Sequence, residues 1–345
     1  MKTKLFALFI VFGFILNFTG AAFANKKPKQ NNELVALLPA SDGVMTLDTK
    51  RFFATALPQI LSGNKEMLDE VYAKIDEFKA NTGVDIRWFE QVAVGVSAKT
   101  ISRNANDYQS VMLARGNFSA DSLLVLAKFA SGGKHREEKI GNRTIYIFSP
   151  KEIIEKNKPT AKNPMLQKVL DYILPRLSGE MAITAYDGKT LVLGTPEKLK
   201  LMLTETKSRV NDNLVNLINR NPKALMSFAG EMPNGASNFI QLGDDELGQN
   251  IDAIRQLFGS MDVVGENTLV SVTAKTSDVK RAEGLEQNIL FLRDFGKNIL
   301  GSQKRDDQKM YARLLENAKI TRSGTEVSLN LQVPQSDINI LIGAK

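Results

Sequence analysis

The stretch EVSLNLQVPQSDINILI, residues 326–342, sets Val327, Leu329, Leu331 and Val333 in strict alternation with Ser328, Asn330 and Gln332. A period of two places the apolar set on one face of a strand and the polar set on the other. One face is buried and one is wet, which is the signature of an antiparallel rather than a parallel sheet. Pro334 stops the alternation, and Ser336 stands where a helix cap is expected before Ile338 and Leu341.

The same strand-then-capped-helix grammar recurs upstream. GNRTIYIFSPKEII (141–154) and DGKTLVLGTPEKLKLML (187–203) each run from a turn dipeptide through β-branched residues to Ser-Pro or Thr-Pro and then a helical pattern. Asn142, beside Gly141, and Asp187, beside Gly188, suit the positive φ of tight turns. Ser149 and Thr195 are placed to accept from the first free helical N–H groups, and Pro150 and Pro196 take the first helical position, where no N–H is needed. Glu152 completes a capping box that Lys198 does not reproduce, while Glu197 puts negative charge in the second helix's first turn. A phosphate loop would add glycines and a Lys-Ser/Thr pair, so these units read as architecture.

Further junctions of this kind are expected at Val44–Leu47 with a cap at Asp48 or Thr49, and at Val111–Arg115 with a cap at Ser119. Another is expected at Leu269–Ala274, with a cap at Thr276 or Ser277. Helical stripes run through Met67, Leu68, Val71, Tyr72, Ile75 and Phe78, and through Leu247, Ile251, Ile254, Leu257 and Phe258. A longer one, Val279 to Leu300, carries Leu285, Ile289, Leu292, Phe295 and Ile299, punctuated by Arg281, Glu283, Glu286, Arg293, Asp294 and Lys297. It is expected to pack on the core. The fold class is therefore α+β, with antiparallel or mixed sheets, helices packed on one side and two units that look duplicated.

The N-terminus, MKTKLFALFIVFGFILNFTGAAFANKK, has the basic start, apolar run (Leu5 to Phe18) and Ala22-Phe23-Ala24 site of a secretory signal peptide. Its apolar run of about 14 residues is short against the ~20 that span hydrocarbon. Cleavage after Ala24 leaves 321 of 345 residues and lowers the net charge from +7 to +5, since Lys2 and Lys4 depart. The division expected is 1–24 signal peptide, 25–33 disordered basic lead-in, 34–205 first unit, 206–221 connecting helix (Val210, Leu214, Leu217, Ile218) and 222–345 second unit. The second unit's opening, EMPNGASNFIQLGDD, echoes LLPASDGVMTLD of the first in its order of proline, polar turn, strand and acidic residues. The chain resembles exported bacterial proteins of an uncharacterised family that open with a Leu-Pro-Ala turn, here Leu38-Pro39-Ala40, before a strand and a capped helix. That resemblance brings no functional residues.

Composition narrows the chemistry. There is no cysteine, which excludes disulfides, thiolate metal sites and a lipidated cysteine. His135, in SGGKHREEK, is the only histidine; Glu137 and Glu138 could orient it, but there is no GxSxG elbow, and an exposed loop position is expected. Asp244, Asp245, Glu246 and Asp252 lack the spacing of a calcium loop, so Asp244 or Asp245 is read as a helix cap. Trp88, with Phe89 and Glu90, is expected to be buried at a helix–sheet junction. No catalytic, cofactor or metal residue is assigned.

These readings point to an exported, periplasmic or extracellular protein that binds or supports an envelope component, protein or lipid, without turnover. They exclude a nucleic-acid partner and a transmembrane segment after cleavage. The alternative is a metal-independent hydrolase using two of the chain's 38 acidic residues.

Overall fold

The computed structural model describes residues 33–98, 108–149, 151, 160–173, 179–205, 209–232, 246–302 and 305–343. The signal peptide and all of the lead-in except Glu33 lie outside these residues, as do Pro150, Glu152, Asp244 and Asp245.

Helix α1 (Glu33–Leu37) leads through the Leu38-Pro39-Ala40 turn into β1 (Gly43–Asp48). A helical run follows in three parts, α2 (Thr49–Arg51), a π-helical turn (Phe52–Ala56) and α3 (Leu57–Ile60), and then α4 (Lys65–Thr82). Asp48 caps the first of these by accepting from Arg51 N at 2.8 Å, and Asn64 caps α4 by accepting from Met67 N at 3.0 Å. Next come β2 (Phe89–Ala98), β3 (Tyr108–Gly116), α5 (Ala120–Ala130), the hairpin β4 (Arg136–Ile140) and β5 (Arg143–Phe148), α6 (Pro164–Ile173), β6 (Met181–Asp187), β7 (Thr190–Gly194), α7 (Pro196–Thr204) and α8 (Asp212–Ile218). The rest is β8 (Met226–Glu231), α9 (Glu246–Asp252), β9 (Ile254–Val264), β10 (Asn267–Thr276), α10 (Val279–Gly301), α11 (Asp306–Asn317), β11 (Lys319–Ser323), β12 (Glu326–Pro334) and α12 (Gln335–Leu341).

The described strands form one twelve-stranded sheet, in the order β11-β12-β10-β9-β8-β1-β2-β3-β7-β6-β5-β4. Each pairing is antiparallel. The fold class is α+β. The stretches on either side of α8 share this sheet, joined where β1 meets β8 with Met45 opposite Phe228. Outward from that junction the two arms repeat one order, β1-β2-β3-β7-β6 against β8-β9-β10-β12-β11, and the β4–β5 hairpin extends the first arm alone. The strand that corresponds to β1 is thus Met226–Glu231, upstream of most of the EMPNGASNFIQLGDD stretch matched to it by sequence.

Alternation along the strands divides the core. Leu47, Val92, Val94, Ala114, Leu191, Leu193 and Ile183 face one way, towards the helical run 49–60, α4, α5 and α6, and towards α11 and α12 of the other arm. Val44, Ala93, Val111, Leu113, Val192, Ala182, Ile145 and Ile147 face the other way, under α1, α7 and α8. A third, smaller cluster of Ile254, Ala274, Ala282, Leu285 and Val327 seats the first half of α10 on its arm of the sheet. Polar contacts lace the arms together: Arg51 pairs with Asp262, Asn64 Nδ2 donates to the Ile342 carbonyl at 3.2 Å, and Gln335 Nε2 donates to the Ile60 carbonyl at 3.2 Å.

Four expectations are corrected. Ile254, Leu257 and Phe258 do not continue a helix from Leu247; α9 ends at Asp252, and these residues belong to β9, whose pairing with both β8 and β10 outweighs the local helical spacing. The cap of α10 is Asp278, accepting from Arg281 N at 2.9 Å, rather than Thr276 or Ser277. Thr195 precedes α7 as expected but makes no capping bond, and its hydroxyl is buried without a partner among the described residues. Likewise Ser336 lies inside α12, which starts after Pro334 with no side-chain cap.

Candidate docking surface

Helix α10 has two different halves. Ala282 and Leu285 are buried against the sheet, with Ile289 packed beside them. Beyond them the apolar residues turn outward: Phe291 is 67 % exposed, Phe295 55 %, Leu292 48 % and Ile299 46 %. Spacings of three, four and seven residues put these side chains on one stripe. The Phe291 and Phe295 rings stack with centroids 6.0 Å apart and planes at 13°. The expectation that this whole helix packs on the core therefore holds only for its first half.

The stripe is held in place from beneath. Gly296 lets α11 approach so closely that a Cβ there would lie 3.0 Å from Leu315 Cδ1, and at Gly301 it would lie 3.8 Å from Ala312 Cβ. Met310 and Leu314 anchor α11 in the main core. Lys297 pairs with Glu316 across the two helices at 2.9 Å, and Arg293 pairs with Asp294 at 2.8 Å. The carboxyl of Asp294 is held below the usual range by that arginine. The charges nearest the stripe are thus mutually compensated, leaving an apolar ridge on a closely packed helical pair.

A second exposed apolar group occupies the corresponding place in the other arm. Helix α5 follows β3 as α10 follows β10, and it exposes Val125 at 61 % and Phe129 at 82 %. With Lys128, Gly132 and Gly133 these line an open hollow of about 440 Å³.

His135 lies in the loop before β4, as expected, but it is not bare: 15 % of its side chain is exposed. Ser131 Oγ sits 2.9 Å from Nδ1, and Glu137 Oε1 is 3.6 Å from Nε2. This resembles a serine–histidine–carboxylate arrangement, yet the proton count speaks against a nucleophile. The Ser131 hydroxyl donates to the Lys128 carbonyl at 2.7 Å at the end of α5, so Nδ1 must donate to that oxygen instead of taking its proton. Glu137 is held below its usual range chiefly by the Lys128 ammonium at 2.8 Å. Glu138 pairs with Lys200 and Arg136 rather than with His135.

Trp88 is more exposed than expected, at 37 %. In the short 3₁₀ turn Ile86–Trp88, Ile86 and Phe89 point into the core, three residues apart, and Trp88 is turned outward between them. Glu90 pairs with Lys50 at the surface. Among the described residues no group of three acidic or histidine side chains is placed to hold a metal ion. Glu246 and Asp252 stand at opposite ends of α9.

Sequence reasoning missed Lys198, which is buried in α7. Its ammonium donates to Ser97 Oγ at 2.7 Å and to the Ala40 carbonyl, fastening the Leu-Pro-Ala turn to β2 and α7. Burial pulls its pKa below the ordinary lysine value, and the charge of Asp42 partly offsets this.

No family model and no curated protein matches the chain. Among solved structures it is similar to crystal form III of TP0453, with 9 % identity over 93 % of this chain and 98 % of that one and a TM-score of 0.41. Crystal form IV of the same protein gives 8 % identity over 89 % and 95 %, with the same TM-score of 0.41.

Proposed function

We propose that this is an exported, non-catalytic binding protein of the cell envelope that docks through the ridge Phe291, Leu292, Phe295 and Ile299. The ridge is the observation that carries the reading. Two phenyl rings and two aliphatic side chains held in water on a braced helix are costly to a free protein and favourable to one that has a partner. The signal-like N-terminus supports an envelope setting. No helix of the described residues is long and apolar enough to cross a membrane.

Fractionation of a producing bacterium tests this. The wild-type chain should remain with the envelope fraction after gentle lysis, whereas the Phe291→Ser/Phe295→Ser double variant should be released in soluble form. Equal retention of both would remove the ridge from the function.

A further inference from the structure

The shape, size and charge of this ridge identify its occupant, if the docking reading above is accepted as the starting point. We propose that α10 lies on a lipid bilayer, with Phe291, Leu292, Phe295 and Ile299 immersed at the boundary between headgroups and acyl chains. The ridge is the convex outer side of a helix, so a partner must either deform around it or bring a matching groove. Applying the exposed fractions to full side-chain areas gives on the order of 400 Å² of apolar surface. A stable protein interface buries about 800 Å² per side, a little over half of it apolar, and from a convex ridge that area is reached only by a partner, a second copy of this chain included, that brings a groove to wrap it. Lipid sets no such threshold and no shape requirement, since immersion is favourable in proportion to apolar area alone.

The charges fit the same occupant. Asp294, the carboxylate nearest the rings, is paired with Arg293, and Lys297 is paired with Glu316, so no uncompensated charge must leave water with the ridge. The long stems of Arg293 and Lys297 suit a position at headgroup level, apolar below and charged above. Because the attraction is apolar and the flanking charge is balanced, binding should not require anionic lipid.

Vesicle flotation decides the matter, using the exported and processed chain purified from a bacterial host. The probes are phosphatidylcholine vesicles, alone or mixed with phosphatidylglycerol, at about 0.1 and 0.5 M salt, between which the screening length falls by half or more. Wild-type protein should float with both vesicle types at both salt concentrations. Phe291→Ser/Phe295→Ser should lower partitioning about a hundredfold, roughly tenfold per ring. Phe129→Ser, on the other arm, should leave it unchanged, and circular dichroism should show all variants folded. The proposal is overturned if the wild type does not float, if the double variant floats equally well, or if binding needs phosphatidylglycerol and vanishes at high salt. Failure to float combined with self-association in sedimentation that the double variant abolishes would leave the docking reading standing with a second copy as occupant. Loss of both would remove the docking reading as well.

Discussion

The rings of Phe291 and Phe295 stack 6.0 Å apart on the solvent side of α10, one turn from each other, and each residue is more than half exposed. Side chains this exposed contribute little to folding, so Phe291→Ser and Phe295→Ser should each change stability by less than about 0.5 kcal/mol. Replacing Leu285, which is buried on the same helix, by Ala should cost about 2 to 5 kcal/mol. Denaturant melts of the three variants check the contrast. A large loss at Phe295 would mean that the ridge is core.

Asp85 predicts an acid-sensitive anchor. Burial alone would push its carboxyl up, but bonds from Arg87 and Lys79 outweigh this and hold it down at about 2. Arg87 Nε lies 2.7 Å from Oδ1, and Lys79 Nζ lies 3.1 Å from Oδ2. A carboxyl depressed in the folded state adds stability above its unfolded pKa and loses it as pH falls through the folded value. That window runs from about pH 4 down to about 2. Asp85→Asn should therefore cost about 2 kcal/mol at neutral pH and flatten the stability profile across that window. Unfolding measured at several acid pH values gives the slope.

Two residues that precede helices make opposite predictions. Asn64→Ala removes the bond to Met67 N and should destabilise by about 1 kcal/mol. Thr195→Val removes a buried hydroxyl that has no partner, and should be neutral or slightly stabilising. Thermal melts suffice; a loss at Thr195 comparable to that at Asn64 would show that its hydroxyl is bonded after all.

Lys198→Ala deletes a buried stem and leaves the Ala40 carbonyl without this donor, so it should cost about 1 to 3 kcal/mol. Ser97→Ala, which keeps the lysine's bond to the Ala40 carbonyl and removes only the hydroxyl's own longer one at 3.4 Å, should cost less. Chemical denaturation ranks the two.

The parts legible in the sequence are those whose periodicity reports burial directly. The stripe of α4 and the junctions at Asp48 and Ser119 were readable because each is decided within a few residues, and the alternation of β12 gave its strand, although of its four apolar residues only Val327 and Val333 are fully buried. Ile254 misled because its spacing from Leu247 and Ile251 fits a helix, and only the pairing of β9 with the next strand, β10, and with β8 makes it part of a strand. The ridge was hidden for a related reason. Leu285, Leu292 and Phe295 look alike in a helical pattern, and which of them is covered depends on where the sheet and α11 end beneath the helix. Lys198 was equally opaque: a lysine in a first helical turn reads as a surface residue until the Leu-Pro-Ala turn folds over it.

The most direct measurement places a photoreactive benzoylphenylalanine at position 295, and for comparison at the exposed edge-strand position of Lys319, in cells that export the protein. If the ridge is the docking surface, irradiation should join position 295 to an envelope component, with phospholipid adducts in its mass spectrum, and should leave position 319 largely unmodified. Equal modification at both positions, or none at 295, would contradict the account.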